Sequence, residues 1–270
     1  MLNEEFAKSF FSNKIVVITG SSGQLGMSYQ ELYLKAGAIV IALDLKDIPG
    51  DIFNGYKDKR HFINVDVTNK SDIKEALDIT QREYGCPDVL INNAALDSPP
   101  NAPMEETGAF ENYPESSWDK VLDVNLKGVF LCCQVFGKAM RDKGCGAIVN
   151  ISSIYGMVSP DQSLYNFRRD RGEEFFKPVA YSASKSGLLN LTKYLATYWA
   201  KNGVRVNTLT LAGVFNDQDD EFLKGYCARI PIGRMAHPDD YHGALIYLTS
   251  DMSKYMTGAN LIVDGGWTAI

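Results

Sequence analysis

The amino-acid sequence predicts a single α/β domain with a doubly wound parallel sheet and helices on both faces. Short apolar runs rich in β-branched residues alternate with helix-like stretches along the chain. These runs show no in–out alternation, which is typical of parallel strands covered on both faces. The length of 270 residues suits one such domain, because a chain of this size buries a large core without disulfides or metals.

The elements follow in order from these runs. The first strand is predicted over residues 15–19, where a β-branched run ends at a glycine. Further strands are predicted over residues 39–43, 89–91, 147–151, 204–211 and 261–263. Helices are predicted over residues 22–35, 71–84, 117–143, 181–201 and 238–249. This alternation implies right-handed crossovers between parallel strands.

The sequence contains no internal repeat, low-complexity tract or linker, so residues 1–270 are predicted to form one domain. Residues 1–13 precede the first strand as an N-terminal extension. Residues 96–116 and 159–178 interrupt the alternation, and loops of this length usually carry function or are disordered. The second stretch holds three arginines and four aromatic residues, and we predict that it is an inserted substrate loop.

Charge, apolar runs and cysteines exclude several classes of protein. Twenty-seven Lys and Arg against thirty-three Asp and Glu give a net charge of −6, which argues against nucleic acid or an anionic membrane as the partner. No run of eighteen apolar residues is present, and the first fourteen residues lack a secretory apolar block. The five cysteines show no C-x-x-C pair and the three histidines no metal spacing. Free thiols, no metal site and a cytoplasmic location are therefore expected.

A glycine-rich turn between the first strand and the first helix points to a dinucleotide. Gly20, Gly23 and Gly26 let the backbone approach a pyrophosphate at the positive helix N-terminus, although a tight turn alone also uses glycines. Asp44 ends the second strand, where a carboxylate accepts hydrogen bonds from ribose hydroxyls and repels a 2′-phosphate. No Lys or Arg lies in the glycine turn, so NAD is favoured over NADP.

Tyr181 and Lys185 stand one helical turn apart. Such a pair is common on surfaces, but it also suits hydride transfer, which needs a proton acceptor or donor at the substrate oxygen. A free Tyr has a pKa of about 10, and a nearby ammonium favours the phenolate. Ser153 follows the strand at 147–151, at the edge where doubly wound sheets bind ligands, and its hydroxyl can hold that oxygen. No G-x-S-x-G turn supports a hydrolase.

These motifs, taken together, resemble those of the short-chain dehydrogenase/reductase family over residues 14–268. The matching segments are Thr19-Gly20-x-x-x-x-x-Gly26, Asp66-Val67, Asn92-Asn93-Ala94-Ala95, Asn125, Ser153, Tyr181 with Lys185, and Val263-Asp264-Gly265-Gly266. The resemblance implies a Rossmann fold and a homodimer or homotetramer.

The resemblance also implies roles for individual residues. The implied catalytic set is Asn125, Ser153, Tyr181 and Lys185. In this set Lys185 also binds the nicotinamide ribose. Asn125 completes a proton relay through a water-bridged link to Lys185; the alternative is that Asn125 is a plain buried polar residue. The implied cofactor-binding residues are Gly20, Ser22, Gly23, Gln24, Leu25, Gly26, Asp44, Asp66, Val67, Asn93, Ala94, Ala95, Tyr181, Lys185 and Val214.

The sequence departs from the family pattern in two places. Ser153 and Tyr181 lie about twice as far apart as usual, because residues 159–178 are inserted between them. The aromatic residues of the insertion could form a sugar-stacking wall and its arginines could receive a phosphate, or the arginines could pair with Asp170, Glu173 and Glu174. The insertion resembles members linked to surface-sugar or flagellin-glycan biosynthesis. Leu211-Ala212 also replace the usual Pro-Gly, so the sequence does not determine the backbone path of this loop.

The sequence therefore predicts an NAD-dependent oxidoreductase that interconverts a secondary alcohol and a ketone, with a sugar or nucleotide-sugar as a possible small-molecule substrate. A 3-oxoacyl-carrier-protein or simple ketone reductase is the enzyme alternative. That substrate calls for a basic docking patch and usually NADP, which Asp44 opposes. A non-catalytic dinucleotide-binding regulator is the other alternative, and only the altered 211–212 loop favours it.

Overall fold

A computed structural model describes residues 4–48, 52–98 and 103–270. Within these residues seven parallel strands form one sheet in the order β3-β2-β1-β4-β5-β6-β7. The strands are β1 (Ile15–Thr19), β2 (Ile39–Asp44), β3 (Arg60–Asn64), β4 (Val89–Asn92), β5 (Gly146–Ser153), β6 (Val204–Leu211) and β7 (Asn260–Val263). The strand order reverses between β1 and β4, and a crevice for a ligand opens at the carboxyl ends of strands at such a point.

The helices cover both faces of this sheet. They are α1 (Glu4–Phe11), α2 (Gln24–Lys35), α3 (Lys70–Glu83), α4 (Glu115–Leu122), α5 (Val129–Cys132), α6 (Lys138–Lys143), α7 (Asn166–Asp170), α8 (Val179–Trp199), α9 (Asp220–Cys227) and α10 (His242–Thr249). One apolar core joins the sheet to α3, α5, α6 and α8, and a second joins it to α1, α2 and α10.

The two cores explain the continuous apolar runs of the sequence. In β1, Val17 belongs to one core while Val16 and Ile18 belong to the other, and all three are fully buried. Each of these side chains removed from water contributes roughly 1.5–3 kcal/mol, so an unpaired polar residue at any of the three positions would destabilise the fold. The predicted doubly wound parallel sheet is confirmed.

Some elements differ from the sequence-based expectations. The edge strand β3 was not predicted, because Arg60-His61-Phe62-Ile63-Asn64 has no continuous apolar run. Helix α9 is also additional, and α1 shows that the N-terminal extension packs on the sheet through Ala7 and Phe11. The helix predicted over 117–143 is interrupted by π-helical turns at Asp123–Gly128 and Cys133–Gly137.

The described part of the chain has no helix long and apolar enough to cross a membrane. It also holds no cluster of three or more side chains placed to bind a metal ion. Residues 1–3 of the extension and residues 99–102 of the 96–116 stretch lie outside the described residues.

Candidate active site

A cleft of about 1750 Å³ runs along the carboxyl ends of the strands. Ser153, Tyr181 and Lys185 line it, whereas Asn125 is buried outside the lining. Of the other predicted cofactor-binding residues only Gly26 is outside; those in the lining are Gly20, Ser22, Gly23, Gln24, Leu25, Asp44, Asp66, Val67, Asn93, Ala94, Ala95 and Val214. The fold thus gathers nearly the whole predicted set around one space.

The glycine turn is shaped by close backbone contacts. Gly20 has a φ of +62°, and a Cβ there would lie 2.6 Å from the Ala94 Cα. A Cβ on Gly26 would lie 2.1 Å from the Gly20 carbonyl oxygen, so Gly26 allows the helix to pack on the turn. Helix α2 starts after Gly23 without a side-chain cap. Its first amides therefore keep their capacity to bind an anion, which fits a dinucleotide pyrophosphate.

Asp44 closes the nucleotide end of the cleft. Its Oδ2 accepts a hydrogen bond from the Ser22 amide at 2.9 Å, and its Oδ1 accepts one from the Leu45 amide at 2.7 Å. These bonds fix the carboxylate against the glycine turn, and each oxygen retains a second acceptor site. The position suits a pair of ribose hydroxyls.

The segment after β4 is hydrogen-bonded to the start of the glycine turn. Thr19 Oγ1 accepts hydrogen bonds from the amides of Asn93 and Ala94 at 3.0 and 3.1 Å. The Asn93 side chain donates to the carbonyl oxygens of Thr19 and Gly20 at 3.1 and 2.9 Å. Its amide group therefore holds the ends of β1 and β4 together.

Ser153 and Tyr181 meet at the other end of the cleft. Tyr181 stands in the first turn of α8, and the Ser153 hydroxyl lies close enough to its phenol to favour the phenolate. Ser152 points elsewhere, because its hydroxyl donates to the Lys185 carbonyl oxygen at 3.0 Å. The structure thus favours the second serine of the pair as the partner of Tyr181.

Lys185 lies beneath the phenol with 3% of its surface exposed. Its ammonium donates to the Ile151 carbonyl oxygen at 2.8 Å and lies 5.8 Å from the Tyr181 ring centroid. Burial lowers the pKa of Lys185 to about 8. Burial also raises the pKa of Tyr181, and the charge of Asp97 adds to that rise. In the protein alone the phenol is therefore neutral, because desolvation outweighs the expected pull of the ammonium.

This burial makes a testable prediction for stability. The folded-state pKa of Lys185, about 8, lies below the unfolded value of 10.5. The free energy of unfolding therefore falls as the pH drops from 10.5 to about 8, and the full loss is present below pH 8. Lys185→Met should raise the free energy of unfolding near pH 7 by at most about 3 kcal/mol, and this gain should vanish by pH 10.5. Urea unfolding across pH measures it, with the exposed Lys74→Met on α3 as control. An equal gain at all pH values would contradict a buried charge.

Asn125 is fully buried in the first π-helical turn. Its Oδ1 accepts from the Leu96 amide at 2.7 Å, and its Nδ2 donates to the Leu96 carbonyl oxygen and the Ser184 hydroxyl at 2.8 and 3.0 Å. The side chain ties the segment after β4 to α8. The water-bridged link to Lys185 stays a prediction.

The loop after β6 keeps a defined path without Pro-Gly. The Tyr241 hydroxyl donates to the Ala212 carbonyl oxygen at 3.1 Å, and the Gly213 amide donates to the Tyr226 hydroxyl at 2.7 Å. Val214 then bridges to Ala236. Two distant tyrosines thus replace the constraint that a proline would supply.

The insertion covers the substrate end of the cleft, and its arginines are occupied. Arg168 pairs with Glu173 at 2.8 Å, and Arg171 pairs with Glu221 of α9 at 2.7 Å. Arg169 donates to two backbone carbonyl oxygens and does not line the cleft. The pairing interpretation therefore describes these arginines better than a phosphate site, although one partner comes from α9.

The cleft also contains residues that sequence reasoning missed. The wall beside Tyr181 includes Asp97, Tyr155, Lys177, Phe222, Tyr226 and Met235. Phe222, Tyr226 and Met235 lie far along the chain from the recognised motifs, so no local signal marks them. Asp97, Tyr155 and Lys177 lie within four residues of Ala95, Ser153 and Tyr181, but nothing in the local sequence shows that they line the cleft.

Comparison with known proteins identifies the family. A family model described as enoyl-(acyl carrier protein) reductase matches residues 25–268. A short-chain dehydrogenase from Leptospira borgpetersenii, solved with bound NAD⁺, superposes with a TM-score of 0.86 and 36% identity over 99% of this chain and 97% of that one. The protein belongs to the short-chain dehydrogenase/reductase family.

Other members of the family are also similar to this short-chain dehydrogenase/reductase. The NAD-dependent glycerol dehydrogenase of Listeria innocua is 31% identical over 97% of both chains. The D-threitol dehydrogenase of Mycolicibacterium smegmatis is 32% identical over 94% of this chain and 93% of its own. The protein is accordingly an oxidoreductase.

Proposed function

We propose that this short-chain dehydrogenase/reductase uses NAD to oxidise a small neutral polyol to a hydroxyketone, and catalyses the reverse reduction. One observation carries the proposal: a single cleft joins the ribose-facing Asp44 to the Tyr181–Ser153 pair. The similar glycerol and threitol dehydrogenases act on small polyols by name, and the Leptospira relative holds NAD⁺.

The cofactor fits the residues present. The uncapped amides of α2 suit the pyrophosphate, and Asp44 suits the adenosine ribose. Asp66 and Val67 line the cleft beside Asp44 and suit the adenine. A nicotinamide bound beside Tyr181 and Lys185 would supply the acceptor for the hydride that leaves the alcohol carbon.

The chain's own residues handle the proton. The Ser153 hydroxyl holds the substrate oxygen. Oxidation uses the ionised form of Tyr181: the phenol first releases its proton to solvent, and the phenolate Oη then takes the alcohol proton as the carbonyl forms. Lys185 holds a positive charge under the phenol, which stabilises the phenolate as it develops. In the reduction the phenol returns the proton.

Charge at the mouth of the cleft sets this proposal apart from a carrier-protein reductase. Arg168, Arg171 and Lys177 line the cleft from the insertion, and each pairs with a carboxylate of the same chain. Lys120 lines the cleft from α4, next in sequence to the lining carboxylate Asp119. An acidic carrier protein or a nucleotide-sugar needs cations that are free to bind phosphate. We therefore place the substrate among small uncharged polyols.

Assembly and location extend the proposal. The solvent-facing sides of α5 and α8 carry Phe130, Tyr194 and Tyr198 at 44%, 65% and 60% exposure. Such an aromatic patch suits burial against a second copy, so we propose a homodimer or homotetramer. We also propose that the protein is cytoplasmic. The chain is further proposed to be one domain, with residues 159–178 as its substrate loop.

An activity panel tests the proposal. The purified protein is offered glycerol, threitol, 2-propanol and an acyl thioester ketone, each with NAD(H) and NADP(H), and NADH absorbance is followed. We expect the highest kcat/KM with NAD and a polyol. Tight NADH binding without turnover would favour a regulator, and a preference for the thioester with NADPH would favour the carrier-protein reductase.

A further inference from the structure

An ion pair lies beside Tyr181 at the substrate end of the cleft. Lys177, from the insertion, pairs its ammonium with the carboxylate of Asp97, which follows β4. The Lys177 side chain is 14% exposed and that of Asp97 is 56% exposed, so the lysine is the more enclosed partner and the carboxylate is the more open one. The Lys177 ammonium lies 5.6 Å from the Tyr181 ring centroid.

Asp97 is also electrostatically close to the other groups at this end. Burial is the main cause of the raised pKa of Tyr181, and Asp97 adds to it. Burial lowers the pKa of Lys185, and Asp97 opposes that effect. Asp97 is the carboxylate that acts on both residues. The charge of Asp97 therefore acts on the position beside Tyr181 that the substrate oxygen would occupy.

The wall next to this pair is largely aromatic and carries the hydroxyls of Tyr155 and Tyr165. Tyr155 lines the cleft with 9% of its surface exposed, and its hydroxyl lies close to that of Tyr165. Tyr165, Phe175 and Phe222 form the surrounding aromatic surface. A ligand that fills this space meets the carboxylate of Asp97 beside a largely aromatic wall.

We propose that Asp97, oriented by Lys177, is a specificity residue that accepts a hydrogen bond from a second hydroxyl group next to the carbon being oxidised. The inference rests on the proposed polyol oxidation. A carboxylate accepts hydrogen bonds and donates none, so it favours substrates that carry a hydroxyl group next to the carbon being oxidised. It repels a substrate carboxylate or phosphate, and it gains nothing from a methyl group.

Glycerol and 2-propanol test this directly, because they share a carbon skeleton and differ only in the flanking hydroxyls. In the wild type, kcat/KM should be higher for glycerol. Asp97→Ala should lower the glycerol to 2-propanol ratio by roughly 10–100-fold, the usual effect of a hydrogen bond to a charged group. Asp97→Asn, which keeps one acceptor oxygen, should have a smaller effect. The loss should appear mainly in KM for glycerol.

Controls separate this role from a structural one. Each variant is assayed at its own pH optimum, because loss of the Asp97 charge alters proton transfer for both alcohols. Asp142→Ala removes an exposed, ion-paired carboxylate on α6 and should leave the ratio unchanged. Thermal melting and NADH binding of Asp97→Asn show that the fold is intact. An unchanged ratio in both Asp97 variants overturns the inference and leaves polyol oxidation standing, whereas a wild type inactive on every alcohol overturns the proposed function itself.

Discussion

Tyr181→Phe is expected to lower kcat/KM for alcohol oxidation by roughly 10²–10⁴-fold, the usual contribution of a positioned general acid or base. The change removes only the hydroxyl beside Ser153 and keeps the ring near the ammonium groups of Lys177 and Lys185. NADH affinity should therefore stay within about twofold, since the nucleotide end of the cleft is untouched. Steady-state rates and NADH fluorescence titration measure the two effects.

Tyr255→Phe is the matched control, because that side chain is fully exposed and the chemical change is the same. It should behave as wild type. If Tyr181→Phe retained more than about a tenth of the activity, well short of the usual general-acid effect, another group would have to carry the proton.

Asp44→Asn is expected to shift the NAD to NADP preference by roughly 10–100-fold toward NADP, because a charged hydrogen-bond partner of the ribose is lost. The asparagine oxygen can still accept from the Ser22 amide, so the glycine turn should keep its shape. The repulsion of a 2′-phosphate disappears with the charge. Ratios of kcat/KM for the two cofactors measure the shift.

Asp47→Asn, three residues further along the chain, is the control, since Asp47 pairs with Arg60 and does not line the cleft. Its cofactor preference should match that of the wild type. A preference unchanged by Asp44→Asn would remove the carboxylate from cofactor selection.

Some parts of the fold could be predicted because they depend on local pattern. Strand β1 is apolar on both faces, so its sequence leaves few alternatives to a central parallel strand. Strand β3 lies at the sheet edge, where Arg60 donates to Gln30 and Asp47. The side chains of Arg60 and Asn64 are satisfied by partners that no short window reveals. Helix α9 had a signal that was overlooked, since Asp219 caps its first turn.

The site divides in the same way. The glycine turn and the Tyr181–Lys185 spacing are set by a few neighbouring residues, so the sequence predicts them well. The Asp97–Lys177 pair joins residues 80 positions apart, and only the folded insertion brings them together. The pKa of Tyr181 was expected to fall, but burial raises it, and spacing alone does not reveal burial.

Deuterium transfer tests the central claim most directly. The polyol that the wild type oxidises fastest is labelled with deuterium at the alcohol carbon and incubated with the enzyme and NAD. The mass of the reduced cofactor is then measured by mass spectrometry. The account predicts that the deuterium appears on the reduced cofactor, and that Tyr181→Phe forms almost none of this product. Unlabelled NADH, or label lost to water, would contradict hydride transfer from the alcohol carbon.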